Sequence, residues 1–238
     1  MASTYFISDL HLDPARPAIT RALAEFLASR TDCHRLYILG DLFEAWLGDD
    51  DDSPLAAQVT TLLRNFTDAG PELYIMVGNR DFLLGRVFCD AVGAKLLPDP
   101  TLVDLHGQAT LLMHGDSLCT ADHAYQAFRS NARDPAWQAQ LLGQPLEERR
   151  QLAGKLRAMS REANSIKDED IMDVTPGEAE REMREHCAAQ LIHGHTHRPA
   201  HHLTSSGSRW VLGAWEDKGW FIEASNGQLK LKHFSIYQ

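Results

Sequence analysis

The sequence predicts an α/β fold built on a largely parallel sheet. Two observations predict it. Apolar strand-like runs alternate with amphipathic helix-like segments over the first 80 residues. Those strands are apolar throughout, as strands covered on both faces are. A third observation concerns function. Five short segments follow such runs directly: Asp9-Leu10-His11, Gly40-Asp41, Gly78-Asn79-Arg80-Asp81, His114-Gly115-Asp116 and His193-Gly194-His195-Thr196-His197. Groups at the carboxyl ends of parallel strands meet in one crevice.

Thr4 to Ser8 is a short β-rich run. Pro17 to Ser29 places Ile19, Leu23, Phe26 and Leu27 at helical spacing. Leu36 to Leu39 forms the second strand, closed by Gly40. Leu55 to Phe66 is helical, and Gly70-Pro71 breaks it. Leu73 to Val77 is the third strand, Ala109 to Met113 a fourth, and Leu191-Ile192 precede the histidine segment. From Trp210 the pattern is a β-meander, with Asn226-Gly227 a hairpin turn between Trp220-Phe221-Ile222 and Leu229 to Lys232. The acidic run Asp49 to Asp52 has the character of a solvated loop.

Length and composition bound the possibilities. A chain of 238 residues with 44% hydrophobic residues suits one α/β domain, 1–238. A net charge of −10 argues against a general nucleic-acid binder. Cys33, Cys89, Cys119 and Cys187 show no C-x-x-C pairing and are expected as reduced thiols. No signal peptide is visible, and no stretch approaches ~18 uninterrupted apolar residues.

Spacing exposes an insertion. The intervals Asp9–Asp41, Asp41–Asn79 and Asn79–His114 are 32, 38 and 35 residues, whereas His114–His195 is 81. The extra length, about residues 122–168, is helical in character. Leu152, Leu156, Met159, Ala163 and Ile166 share one face. Ser160, Asn164 and Lys167 form a polar stripe beside it. Eight basic and four acidic residues from Arg129 to Lys167 leave this stretch at +4 and the rest at −14. Its arginines and Lys155, beside apolar residues, suit an anionic lipid surface.

The five segments point to a two-metal hydrolytic centre. Asp9 and His11, placed two apart on an extended strand end, project to one side. So do His195 and His197. The glycine before Asp41 leaves room for a metal to approach, and its carboxylate can bridge two cations. Asn79 adds an amide oxygen and His114 a nitrogen. Nitrogen and oxygen ligands without thiolate suit manganese, iron or zinc over calcium. Such a cation pair activates water toward phosphorus. Each segment alone has a plainer explanation: an Asp-x-His often caps a helix, and a Gly-Asn is usually a turn. His34, His106, His123, His186, His201, His202 and His233 are not assigned as ligands.

In this order the segments resemble the calcineurin-like metallophosphoesterases over nearly the whole chain. The resemblance implies a four-layer α/β/β/α sandwich with the insertion as a helical lid. It implies one metal on Asp9, His11, Asp41 and His197, and another on Asp41, Asn79, His114 and His195. Most members place His after Gly-Asn, whereas this chain has Arg80. Arginine cannot act as a general acid near neutral pH but can clamp phosphoryl oxygens. That favours a diphosphate, whose leaving group departs as a stable anion. Arg80 could instead merely pair with Asp81.

The blocks Gly40-Asp41-Leu42-Phe43-Glu44-Ala45-Trp46, Gly78-Asn79-Arg80-Asp81-Phe82-Leu83 and His114-Gly115-Asp116 are similar to the branch of that family acting on UDP-2,3-diacylglucosamine. The similarity implies two Mn²⁺ per chain and attack at the α-phosphorus. UMP and 2,3-diacylglucosamine 1-phosphate would be the products, within lipid A biosynthesis. It further implies work at the cytoplasmic face of the inner membrane, and a monomer is expected. Asp41, Asn79 and Arg80 would be catalytic. Asn79, Arg80, Asp122, Ser160, Asn164, Lys167 and His195 would touch substrate. Tyr125, Phe128, Leu152, Leu156 and Met159 would meet acyl chains, although apolar stripes also pack against a protein's own core. Two alternatives stay open: a nucleotide-sugar or dinucleoside polyphosphate hydrolase without a lipid, and a non-enzymatic scaffold on the same fold.

Overall fold

The computed structural model describes residues 3–166 and 171–237, the side chains at 160, 161 and 163–166 excepted. In chain order the first half contains β1 (Ser3–Ile7), α1 (Pro17–Ser29), β2 (Cys33–Leu39), α2 (Pro54–Asp68), β3 (Glu72–Met76), α3 (Arg86–Val92), β4 (Ala94–Leu97), β5 (Thr101–Leu105) and β6 (Gln108–Leu112). Then follow α4 (His123–Ala132), α5 (Pro135–Leu142), α6 (Leu146–Ile166), α7 (Glu178–Glu185), β7 (Gln190–His193), β8 (Ala200–Thr204), β9 (Gly207–Val211), β10 (Lys218–Ser225) and β11 (Gln228–Ser235). Local chemistry sets several boundaries. Proline opens α1, α2 and α5, where its fixed φ suits the first helical turn. The Ser53 hydroxyl accepts the Ala56 amide to cap α2. Asn226 and Gly227 both take positive φ in the two-residue turn joining β10 to β11.

The strands form two mixed sheets rather than one. The first runs β11-β10-β1-β2-β3-β4, parallel from β1 to β4, with β10 antiparallel against β1. The second runs β5-β6-β7-β9-β8, parallel through β6, β7 and β9, with antiparallel edges.

Side-chain parity builds the layers. Tyr5 and Ile7 on β1 face one way and pack with Leu23 and Phe26 of α1, Leu63 of α2 and Phe88 of α3. Phe6, one residue out of phase, faces the other way. With Tyr37, Leu39 and Met76 it meets Leu112 and Ile192 of the second sheet. The outer face of that sheet buries Leu111 and Leu191 against Ala179 and Met183 of α7. The result is an α/β/β/α sandwich. Each of the leucine, isoleucine, phenylalanine and methionine side chains contributes about 1.5–3 kcal/mol through burial.

This stacking brings the carboxyl ends of β1, β2 and β3 beside those of β6 and β7. The loops there are joined across the layers: the Gly194 amide donates to the His114 carbonyl at 2.8 Å. Between β6 and α7 the chain makes helices α4–α6. The four cysteines are free thiols.

Candidate metal centre

Backbone hydrogen bonds zip the first two loops together. Asp9 donates to the Gly40 carbonyl at 3.1 Å, His11 to Asp41 at 2.9 Å, and Glu44 to Leu12 at 3.1 Å. Asp9, His11, Asp41, His195 and His197 all hold φ between +48° and +67°. The extended strand ends expected from the sequence are therefore not what aligns Asp9 with His11 or His195 with His197. Left-handed backbone turns each side chain inward, at a cost of order 1–3 kcal/mol per residue. The loops fit because Gly78 has no side chain; a β-carbon there would fall on the Asp41 carboxylate. Gly40 likewise makes room for the His114 ring, so its role is close packing rather than the approach of a metal.

The side chains converge. His11 Nε2 lies 3.2 Å from His197 Nε2 and 3.8 Å from Asp41 Oδ2. His197 Nε2 lies 3.4 Å from Asp9 Oδ1. On the other side of Asp41, His114 Nε2 is 3.8 Å from Oδ1. Asn79 Oδ1 is 2.9 Å from both His114 Nε2 and His195 Nδ1. Two overlapping groups can each hold a cation: Asp9, His11 and His197, and Asp9, Asp41 and His114.

The donor set fits a divalent metal on chemical grounds. His114 Nδ1 donates to the Leu39 carbonyl at 2.9 Å. A neutral His114 then turns the bare lone pair of Nε2 on the carbonyl oxygen of Asn79, and two acceptors face one another. Positive charge at that point, whether a second ring proton or a metal cation, removes the conflict. Charge says the same. Burial works against ionising Asp9, yet His197, His114 and His11 hold it well below the usual carboxylate range. Burial opposes a charge on His114, but Asp41, Asp116 and Asp9 raise it to about 9. His195 is pushed down to about 4 by burial and by His114, which keeps it in the neutral form that ligates.

Three carboxylates beside the ligands went without a role in the sequence reading. Asp81 is fully buried and accepts the amides of Gly78 at 2.7 Å and Leu42 at 2.8 Å, clamping the Asn79 loop to the Asp41 loop. It is therefore not the partner of Arg80. Glu44 Oε2 lies 3.2 Å from His11 Nδ1. Asp116 accepts the Tyr125 hydroxyl at 2.6 Å and Arg129 Nε at 2.9 Å, tying α4 to the His114 loop. Each sits inside a quoted motif, and its short distance from a ligand was the available signal.

An apolar groove of about 310 Å³ opens beside the centre, sharing Asn79 and Arg80 as wall. Tyr125, Phe128, Leu152, Leu156 and Met159 also line it. The Arg80 guanidinium has no hydrogen bond or ion pair among the described residues. Asp122 caps α4, accepting the Tyr125 amide at 3.1 Å. The side chains of Ser160 and Asn164, and Lys167 altogether, lie outside the described residues. The acidic run is an exposed loop, as expected, but its carboxylates also have partners. Asp49 accepts the Gly85 and Phe88 amides at the start of α3, while Asp50 and Asp52 pair with Arg149 and Arg150 of α6. Helix-start amides and arginines outcompete water for these carboxylates.

The fold and this centre define a phosphoesterase. Residues 2–199 match the calcineurin-like phosphoesterase family, and the chain belongs to it. Within the family it is similar to curated proteins named UDP-2,3-diacylglucosamine hydrolase. One from Cellvibrio japonicus is 52% identical over 98% of this chain and 100% of its own length. One from Marinobacter nauticus is 52% identical over 97% of each chain. One from Xanthomonas oryzae pv. oryzae is 46% identical over 98% of this chain and 100% of its own. Among solved structures, an archaeal phosphodiesterase shares the fold with a TM-score of 0.50 at 11% identity, covering 98% of this chain and 99% of that one. A protein from Pyrococcus horikoshii OT3 does so with a TM-score of 0.51 at 15% identity, covering 99% and 88%.

Proposed function

We propose that this hydrolase cleaves the diphosphate of UDP-2,3-diacylglucosamine, releasing UMP and 2,3-diacylglucosamine 1-phosphate in lipid A biosynthesis. The observation that carries the proposal is the shared wall: Asn79 and Arg80 belong both to the polar centre and to the apolar groove. A substrate with a diphosphate joined to acyl chains spans that boundary. The relatives' names point to the same compound.

Asp9, His11, Asp41 and His197 would hold one cation, and Asp41, Asn79, His114 and His195 the other, with Mn²⁺ the preferred occupant. When bound, the pair would supply Lewis acidity and would lower the pKa of a water, the nucleophile for the α-phosphorus. Arg80 aims its guanidinium at the diphosphate oxygens and stabilises the charge that grows there. It cannot protonate a leaving group, and a sugar phosphate needs no proton to leave. Helices α4–α6 serve as a lid. Its apolar wall takes the acyl chains, while Asp122, Ser160, Asn164, Lys167 and His195 hold the glucosamine and its phosphate.

The protein works as a monomer at the cytoplasmic face of the inner membrane. Among the described residues no helix is long and apolar enough to cross a membrane. Exposed Met159, one helical turn from Lys155 on α6, suits an anionic lipid surface. Incubation with Mn²⁺ and either UDP-2,3-diacylglucosamine or UDP-glucose tests the substrate. UMP from the acylated compound alone is expected. Equal release from UDP-glucose would overturn the lipid assignment.

A further inference from the structure

We infer that Glu44 is a positioning residue that ties the lid to the metal centre, orienting His11 with one carboxylate oxygen and holding Arg157 of α6 with the other. The inference rests on the metal-centre reading above. The geometry is specific. Glu44 Oε2 lies 3.2 Å from His11 Nδ1, and Oε1 accepts Arg157 Nε at 3.2 Å. His11 Nδ1 is buried and makes no hydrogen bond among the described residues, so the Glu44 oxygen meets it as an ion-pair contact. The second arm of Arg157 reaches Asp13 Oδ2 at 3.3 Å, two residues beyond His11. All three members are largely shielded: the side chains of His11, Glu44 and Arg157 are 10%, 18% and 26% exposed.

The backbone leaves Glu44 little freedom. Its amide donates to Leu12, and the Leu12 amide donates to Leu42 at 2.9 Å. The two loops are therefore in register, with the Glu44 carboxylate opposite the His11 ring. A carboxylate beside Nδ1 favours the proton on that nitrogen, which turns the Nε2 lone pair toward Asp41 and His197. Arg157 belongs to the inserted helix and touches none of the candidate ligands. It also lines the apolar groove together with Glu44. Coupling through such a relay is reciprocal. Whatever holds α6 down steadies His11, and a cation on His11 steadies α6.

The experiment uses the full chain stripped by chelator and compares wild type, Glu44→Gln, Glu44→Asp and Arg157→Ala. Mn²⁺ binding is followed by electron paramagnetic resonance, and amide exchange along α6 by mass spectrometry. Glu44→Gln is expected to weaken Mn²⁺ binding about 10–100-fold, with partial recovery in Glu44→Asp. Arg157→Ala is expected to weaken it several-fold. Mn²⁺ should slow α6 exchange in wild type and not in Glu44→Gln. Wild-type Mn²⁺ affinity in Arg157→Ala, with undiminished α6 protection in Glu44→Gln, would overturn the inference while leaving the metal centre standing. Wild type that binds no Mn²⁺ would instead remove the metal-centre reading, and the inference with it.

Discussion

The Arg149 guanidinium forks onto the Asp50 carboxylate, fastening helix α6 to the acidic run of the body. Arg149 is buried, whereas the Asp50 side chain is 62% exposed. Arg149 also donates to the carbonyls of Leu47 and Gln144. The two ends of the pair are thus unequal. Arg149→Ala leaves two carbonyls without a donor and should cost about 2 kcal/mol. Asp50→Asn removes only a half-solvated charge and should cost about 0.5 kcal/mol. Urea unfolding of the two variants checks the difference; equal losses would contradict it.

Asp81 organises the centre without facing it. Asp81→Asn keeps an acceptor oxygen but turns an NH₂ group toward backbone donors of Gly78 and Leu42. The Asn79 and Asp41 loops should then separate. Metal affinity is expected to fall about 10–100-fold, and turnover with it. Mn²⁺ titration of chelator-treated protein reads the first effect. Unchanged affinity would show that the amide clamp is dispensable.

Arg80 and Asp41 separate binding of the centre from stabilisation of the transition state. Asp41 stands 3.8 Å from ring nitrogens on both sides, so Asp41→Ala should abolish turnover. Arg80→Ala should leave metal affinity intact and lower kcat about 10²–10³-fold. Steady-state kinetics beside metal titration distinguish the two. Wild-type kcat in Arg80→Ala would remove the argument from the leaving group.

Asp99 gives a pH signature away from the ligands. Burial, and then the charge of Asp116, raise its carboxyl to about 6 against Arg129, Arg133 and His114. Neither carboxylate oxygen has a hydrogen-bond partner among the described residues. The native state therefore keeps a proton that the unfolded chain releases near pH 4. The sign follows: the stabilisation is complete below about pH 4 and is lost as pH rises through about 6. Asp99→Asn should match wild type at pH 4 and exceed it by on the order of 1–2 kcal/mol at pH 7.5. Unfolding midpoints at the two pH values check this; a constant difference would contradict it.

Much of the sandwich was legible in the sequence because its central strands are uninterrupted apolar runs. Proline and glycine mark several of their boundaries. Helix α1 begins at Pro17 and ends at Ser29 as its periodicity predicts. The hairpin turn falls on Asn226-Gly227. The division into two sheets was not legible in strand pattern. The edge strand Ala200–Thr204 is short and largely polar, and β6 pairs with β7 across the whole inserted segment. Nor could sequence show the left-handed backbone at Asp9, His11 and Asp41, which packing around the centre imposes on ordinary residues. Charge asymmetry between insertion and body was visible, but its consequence was not. Arg149, Arg150 and Arg157 spend their charge on Asp50, Asp52, Asp13 and Glu44. That leaves Lys155 as the exposed cation for a lipid surface among the described side chains of that helix face.

Hydrolysis of UDP-2,3-diacylglucosamine in ¹⁸O-labelled water, with Mn²⁺ and mass analysis of both products, tests the central claim most directly. The account predicts one ¹⁸O in the phosphate of UMP and none in the acylated sugar phosphate. Label in the sugar phosphate, or no UMP at all, would contradict it.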